Sequence, residues 1–206
     1  MRALVLALLV ALSPLAVAAD PVLYHVTDVA ADDVLNIRAE PRSGTEILGA
    51  LGPDDRYVEV LELDSSGKWG LVRAGEAGMG WVFMRYMAAV PGATYPDWPH
   101  LRCSGSEYPW SFIVTQGGAA QYRVGYGEQG FLLQAGSLAS GGEHLFARGV
   151  LARGEGITVT AAIQPGSCSS TMIDAEYGLR GAIWALTAEG ERFHNGCCVL
   201  TAPPAQ

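Results

Sequence analysis

The chain has 206 residues, with 13 Lys and Arg against 21 Asp and Glu, a formal net charge of −8, 26 glycines and four cysteines. The acidic balance argues against nucleic acid or anionic lipid as a partner, because both are recognised through Lys and Arg, while it permits a cationic one. The length suits one large or two small domains.

Residues 1–19 carry a single early charge, Arg2, then the apolar run ALVLALLVAL (3–12) and the small-residue stretch SPLAVAAD (13–20). This is the order of a secretory signal peptide. Cleavage before Ala19 places Ala16 and Ala18 at the recognition positions, and cleavage before Asp20 fits nearly as well. The expectation is a chain exported across the inner membrane to the periplasm. No later stretch approaches the ~18 uninterrupted apolar residues of a membrane span. Without Arg2, 12 basic residues stand against 21 acidic ones, a formal charge of −9.

Beyond residue 20, helical periodicity is nearly absent. Short alternating runs separated by Gly, Pro, Asp and Ser predict strands over 22–27, 34–39, 46–51, 57–63, 69–74 and 80–84. Leu35 and Ile37 share one face of their run, and Asn36 and Arg38 share the other. The segment VPGATYPDWP (90–99) holds three prolines and no alternation, which predicts a stiff extended connector. Alternation returns at 106–114, 121–126, 157–163 and 177–187. In these runs Trp110, Phe112 and Val114 share a face, as do Tyr122, Val124 and Tyr126, and Ile157 and Val159. About eight strands in a hundred residues fit a small antiparallel barrel or sandwich.

Residues 35–87 resemble the bacterial SH3 (SH3b) family. LNIRAEP, ILGAL, VEVL, WGLV and GWVFMRY stand in that family's order and spacing. The resemblance implies a small SH3-like barrel at 20–89, and binding of peptidoglycan or its stem peptides in a surface groove, since so small a barrel fills its own interior. Tyr24, Arg38, Trp69, Trp81 and Tyr86 are the candidates for that groove. Barrel-closing packing is the ordinary role of the two tryptophans. Arg38 suits a peptide carboxylate, and its ordinary role is an ion pair with Glu40 or Asp54.

Cys103 sits in LRCSGSEYPW (101–110), which admits two readings. Cys-Ser-Gly resembles the nucleophile motif of papain-like peptidoglycan endopeptidases, which needs a base within reach, and His144 is the candidate. That motif opens a helix after Asp. Here Arg102 precedes the cysteine, Pro109 falls in the first turns, and 110–114 alternates as a strand. No catalytic residue is therefore assigned and no enzyme activity is expected. An even number of cysteines in an exported chain reads first as disulfides. Three connectivities are open; pairing adjacent Cys197 with Cys198 is strained and is set aside, which leaves two.

Residues 102–114 and 168–198 are similar to an uncharacterised family of exported bacterial β-barrel domains, at Cys103, Gly105, Glu107, Trp110, Cys168, Met172, Asp174, Tyr177, Gly196 and Cys197. The chain departs from that pattern at Tyr108, Pro109, Ser170 and Ile173. The resemblance implies a barrel at 101–202, followed by a tail at 203–206, with Cys168–Cys197 as its basic bridge. Cys103–Cys198 then becomes the second bridge, as expected if the first and last strands are neighbours. ASGGEHLFARG (139–149) resembles the cleft-plugging loop of periplasmic C-type lysozyme inhibitors, with Ser140 and Gly141 in place and His144 where that loop has Tyr. An ordinary hairpin is the alternative. Zinc at HNGCC (194–198) is disfavoured, because adjacent cysteines project to opposite faces of a strand. No metal or cofactor is expected.

The leading expectation is an all-β, non-enzymatic cell-envelope protein, in which an SH3b module (20–89) and a Pro-rich linker (90–100) precede a disulfide-bonded barrel. The alternatives are an inhibitor of a lysozyme-like protein acting through Ser140–His144, and an endopeptidase using Cys103.

Overall fold

A computed structural model describes residues 20–105, 108–126, 130–142, 147–170 and 174–204. Residues 1–19, where a signal peptide is expected, and Glu107, His144, Met172 and Ile173 lie outside the described residues. The chain is nearly all β.

The N-terminal unit contains β1 (Val22–Val26), β2 (Leu35–Arg38), β3 (Ile47–Leu51), β4 (Val58–Val60), β5 (Glu62–Leu63), β6 (Trp69–Arg73), β7 (Met79–Phe83) and β8 (Met87–Thr94). They form a three-stranded sheet, β4-β1-β8, and a five-stranded one, β3-β2-β7-β6-β5. Val26, Leu35, Ile37, Val60, Val72, Val82 and Met87 make a shared core. Leu35 and Ile37 are buried and Arg38 is not, as the alternation requires. The run 57–63 is not one strand but two. Val58–Val60 pairs with β1 and Glu62–Leu63 pairs with β6. Leu61 carries the chain from one sheet to the other, its N–H donating to the Leu71 carbonyl at 3.0 Å.

The second unit contains β9 (His100–Gly105), β10 (Trp110–Thr115), β11 (Ala119–Val124), β12 (Gly130–Ala135), β13 (Ala139–Ser140), β14 (Arg148–Gly154), β15 (Ile157–Ser170), β16 (Ala175–Thr187) and β17 (Gly190–Leu200). Eight of these close an antiparallel barrel, with β13 a short addition to β14. β12 pairs with β14 through Gln134 opposite Arg153 and Ala135 opposite Ala152. The ring closes where β17 meets β9, with Cys198 opposite Cys103 and Leu200 opposite Leu101. Inward side chains fill the interior, as a barrel of this size requires, with Phe112, Tyr122, Ile163, Leu179 and Ile183 fully buried. Tyr126 departs from its expected face. The strand ends at Val124, Gly125 turns at φ 80°, and Tyr126 is 94% exposed.

The segment 90–99 is not a free connector. β8 continues to Thr94, which pairs with Val22. Tyr95 is buried and donates its hydroxyl to the Ile163 carbonyl at 2.7 Å, and Trp98 Nε1 donates to the Thr201 carbonyl at 2.7 Å. Leu23, Ala93 and Tyr95 belong to the barrel's core cluster. The N-terminal unit thus supplies part of the packing at one barrel end. Glu59 pins this junction at 2% exposure. Its carboxylate accepts from Arg73 at 2.7 Å and from the Leu200 backbone N–H at 3.2 Å. Arg73 also donates to the Glu176 carbonyl at 3.3 Å, and its guanidinium lies 4.9 Å from the centre of the Tyr177 ring.

Two expectations follow for stability. A side chain at Gly181 would meet the Sγ atoms of Cys198 and Cys103 in the filled core. Gly181→Ala should therefore cost about 1–3 kcal/mol in chemical denaturation. Burial raises the Glu59 pKa despite the opposing pull of Arg73. A raised carboxylate contributes stability that is full below its ordinary value and is lost as pH rises through the folded one. The stability of the wild type relative to Glu59→Gln should then shrink with rising pH; a gap that widens would show that Arg73 dominates instead.

Candidate functional site

In the N-terminal unit, β6 and β7 alternate buried Gly70, Val72, Gly80 and Val82 with half-buried Trp69, Leu71, Trp81 and Phe83. The half-buried set faces away from the core, so both tryptophans lie on an outer face and not in the barrel-closing role expected of them. Arg38 lies directly opposite Trp81, and Leu71 lies opposite Trp81 on its other side. Trp69 and Phe83 rings are 5.2 Å apart, and Phe83 and Tyr86 are 6.1 Å apart. The structure thus joins Arg38, Trp69 and Trp81 into one strip, and Tyr86 borders it through Phe83 while also packing against the core. Tyr24 sits on β1 in the other sheet and packs against the core. Phe83 was not among the sequence candidates, although strand alternation two residues after Trp81 carries its signal.

The expected Arg38 ion pair does not form. Arg38 Nη1 donates to the Thr45 carbonyl at 2.8 Å, while Glu40 pairs with Arg42 at 3.0 Å. The turn after β2 brings Arg42 back onto Glu40 and leaves Arg38 reaching across that turn. Among the described residues no carboxylate is within ion-pair distance of Arg38. One carbonyl does not neutralise a guanidinium, so this face keeps a positive charge beside aromatic surface.

In the barrel, Cys103 is bonded to Cys198 and Cys168 to Cys197, and no cysteine is free. Cys103 is fully buried on a strand, so the thiol that the endopeptidase reading needs is held in a bond. All four cysteines being bridged also removes the zinc option, and no metal-binding group of His, Cys, Asp and Glu occurs among the described residues. Trp110 lies on a glycine floor, since a Cβ at either Gly105 or Gly196 would collide with its indole. His194 stacks on Trp110 with ring centres 5.1 Å apart, and its Nε2 lies 2.7 Å from the Tyr122 hydroxyl. No sequence pattern linked these three residues; only barrel closure does.

Ser140 ends β13 and Gly141 follows it, and both are exposed. The Ser140 hydroxyl donates to the Gly142 carbonyl at 3.1 Å and accepts from the Gly142 N–H at 3.3 Å, so it is used within its own loop. No protein-family model matches the chain, and neither does any curated protein or solved structure. Two disulfides point to an oxidising compartment. Among the described residues no helix is long and apolar enough to cross a membrane.

Burial, with a smaller contribution from the Arg192 charge, holds the His194 pKa below its ordinary 6.5. The neutral ring is favoured by folding, so its contribution is full above 6.5 and is lost as pH falls through the folded value. A proton-NMR titration should place the His194 midpoint below 6.5 and move it upward, without restoring it, in Arg192→Gln.

Proposed function

We propose that the protein is a non-enzymatic component of the periplasmic cell envelope that holds stem peptides of peptidoglycan against its N-terminal unit. The observation that carries this reading is the pairing of Arg38 with Trp81 on an outward face extended by Trp69 and Phe83 and bordered by Tyr86. A guanidinium binds a peptide carboxylate through two parallel N–H donors, and an aromatic strip covers the apolar part of the same peptide. The resemblance of 35–87 to SH3b domains supports the same ligand class. Inhibition of a lysozyme-like enzyme through Ser140–His144 has less support, because the Ser140 hydroxyl is engaged with Gly142.

The test uses the whole mature chain, since Leu23 and Glu59 owe their burial to the barrel. It should co-sediment with purified sacculi. Arg38→Ala should weaken that binding about tenfold or more, as expected for a lost charge-assisted contact, at unchanged melting temperature. A protein that stays in the supernatant, or an Arg38→Ala variant that pellets equally well, would remove the reading.

A further inference from the structure

A groove of about 1340 Å³ crosses the outer face of the barrel, over β11, β10, β9, β17, β16 and β15. Its floor is one cross-strand row. Arg123 is opposite Ser111, Ser111 opposite Ser104, Ser104 opposite Cys197, and Cys197 opposite Arg180. Arg102 lies on the same face of β9, two residues before Ser104. Neighbouring strands are about 4.8 Å apart, so Arg123 and Arg180 stand about 19 Å apart along the arc, with Arg102 between them.

Three of the barrel's six arginines therefore share one groove in a chain of net charge −8. All three are exposed, and among the described residues none has a carboxylate within ion-pair distance. Arg180 Nε donates to the Ser167 carbonyl at 2.6 Å, which orients its guanidinium without neutralising it. Like charges gathered on one face raise the local potential and attract anions. The groove also has an aromatic edge. Phe193 lines it, 54% exposed, directly opposite Trp184, 51% exposed, with ring centres 5.4 Å apart. Asn195 follows on the same face of β17, between this pair and the arginines.

We propose that the groove binds an extended acidic saccharide, with its carboxylates on Arg102, Arg123 and Arg180 and a sugar ring stacked on Trp184 and Phe193. Each part of the site matches one part of such a ligand. Guanidinium forks take carboxylates, the C–H face of a pyranose covers an aromatic ring, and Ser104 and Asn195 suit hydroxyl groups. An anionic bilayer needs its aromatic anchors on a protruding face, whereas Phe193 lines a depression. The proposal does not depend on the Arg38 face.

Calorimetry of the mature protein with a linear galacturonate hexamer tests it, with the neutral galactose hexamer, hexaglutamate and phosphatidylglycerol vesicles as comparisons. One hexagalacturonate should bind per chain, and the neutral hexamer should bind at least about tenfold more weakly. Arg123→Gln and Arg180→Gln should each weaken binding about two- to fivefold, and together more than either alone. Trp184→Ala should weaken it as well, at unchanged melting temperature, whereas Arg38→Ala should leave it unchanged. Absence of hexagalacturonate binding, or equal binding of the neutral hexamer, would overturn the proposal. Hexaglutamate or vesicles binding as tightly, with the same arginine dependence, would show a site for charge or for membrane and not for saccharide. Folded arginine variants that bind like the wild type would also exclude it.

Discussion

The barrel depends on one contact between distant segments, β9 against β17, whose bridged cysteines are 95 residues apart. Every other pairing in the ring joins strands that follow closely in the chain, and closing those loops costs little entropy. The β9–β17 seam has no such advantage, and the Cys103–Cys198 bridge lies directly across it. Cross-linking a loop of that length limits the unfolded ensemble by roughly 4–5 kcal/mol. The surrounding residues are shaped by the bridge. Gly181 leaves room for its sulfur atoms inside, and Gly105 and Gly196 let Trp110 lie over the end of the seam. On the outer face, Cys168–Cys197 ties β15 to β17 across β16.

The same seam creates the cationic groove. Arg123 and Arg180 belong to strands from opposite halves of the barrel sequence, and the row between them passes from Ser104 on β9 to Cys197 on β17. In an open sheet these arginines would sit far apart on either side of two free edges. Closure puts them on one surface, and it brings His194 onto Trp110 on the inside. Cys103, Gly105, Trp110, Gly196 and Cys197, which carry the resemblance to exported barrel domains, therefore collect at the seam. Their placement is that of a latch, with the sulfur of Cys103 held in a bond to Cys198.

The junction of the two units follows a different rule. Leu23, Ala93 and Tyr95 complete the barrel's core from outside its own sequence range. Glu59 is held there by Arg73 and the Leu200 amide, a buried charge tolerable only because it is paired and hydrogen-bonded. The proline-rich segment does not act as a tether, because its first half is strand and its second half is anchored by Tyr95 and Trp98. The N-terminal strip at Arg38 and the barrel groove are thus carried by one interlocked molecule.

Local patterning was enough to determine the all-β class and many of the strands, though not β8, β12, β14 or β17. The runs beginning near residues 22, 34, 46, 69, 80, 121 and 177 became strands close to their expected limits, because a period of two is a property of neighbours in sequence, whereas the run at 106–114 became a strand only from Trp110 and the run at 157–163 continued to Ser170. The residues left two cysteine connectivities open, and the resemblance to exported barrel domains pointed to the pairing that the structure contains. Other features rest on contacts between segments far apart, which no local period encodes. The division of 57–63 between two sheets, the burial of Glu59 and the exposure of Tyr126 depended on where a neighbouring strand was available. The outward face shared by Arg38, Trp69 and Trp81 was decided by which side of β6 and β7 the small core of Ile37, Val72 and Val82 occupied. Alternation states that two faces exist; only packing against a second layer chooses the one that meets water.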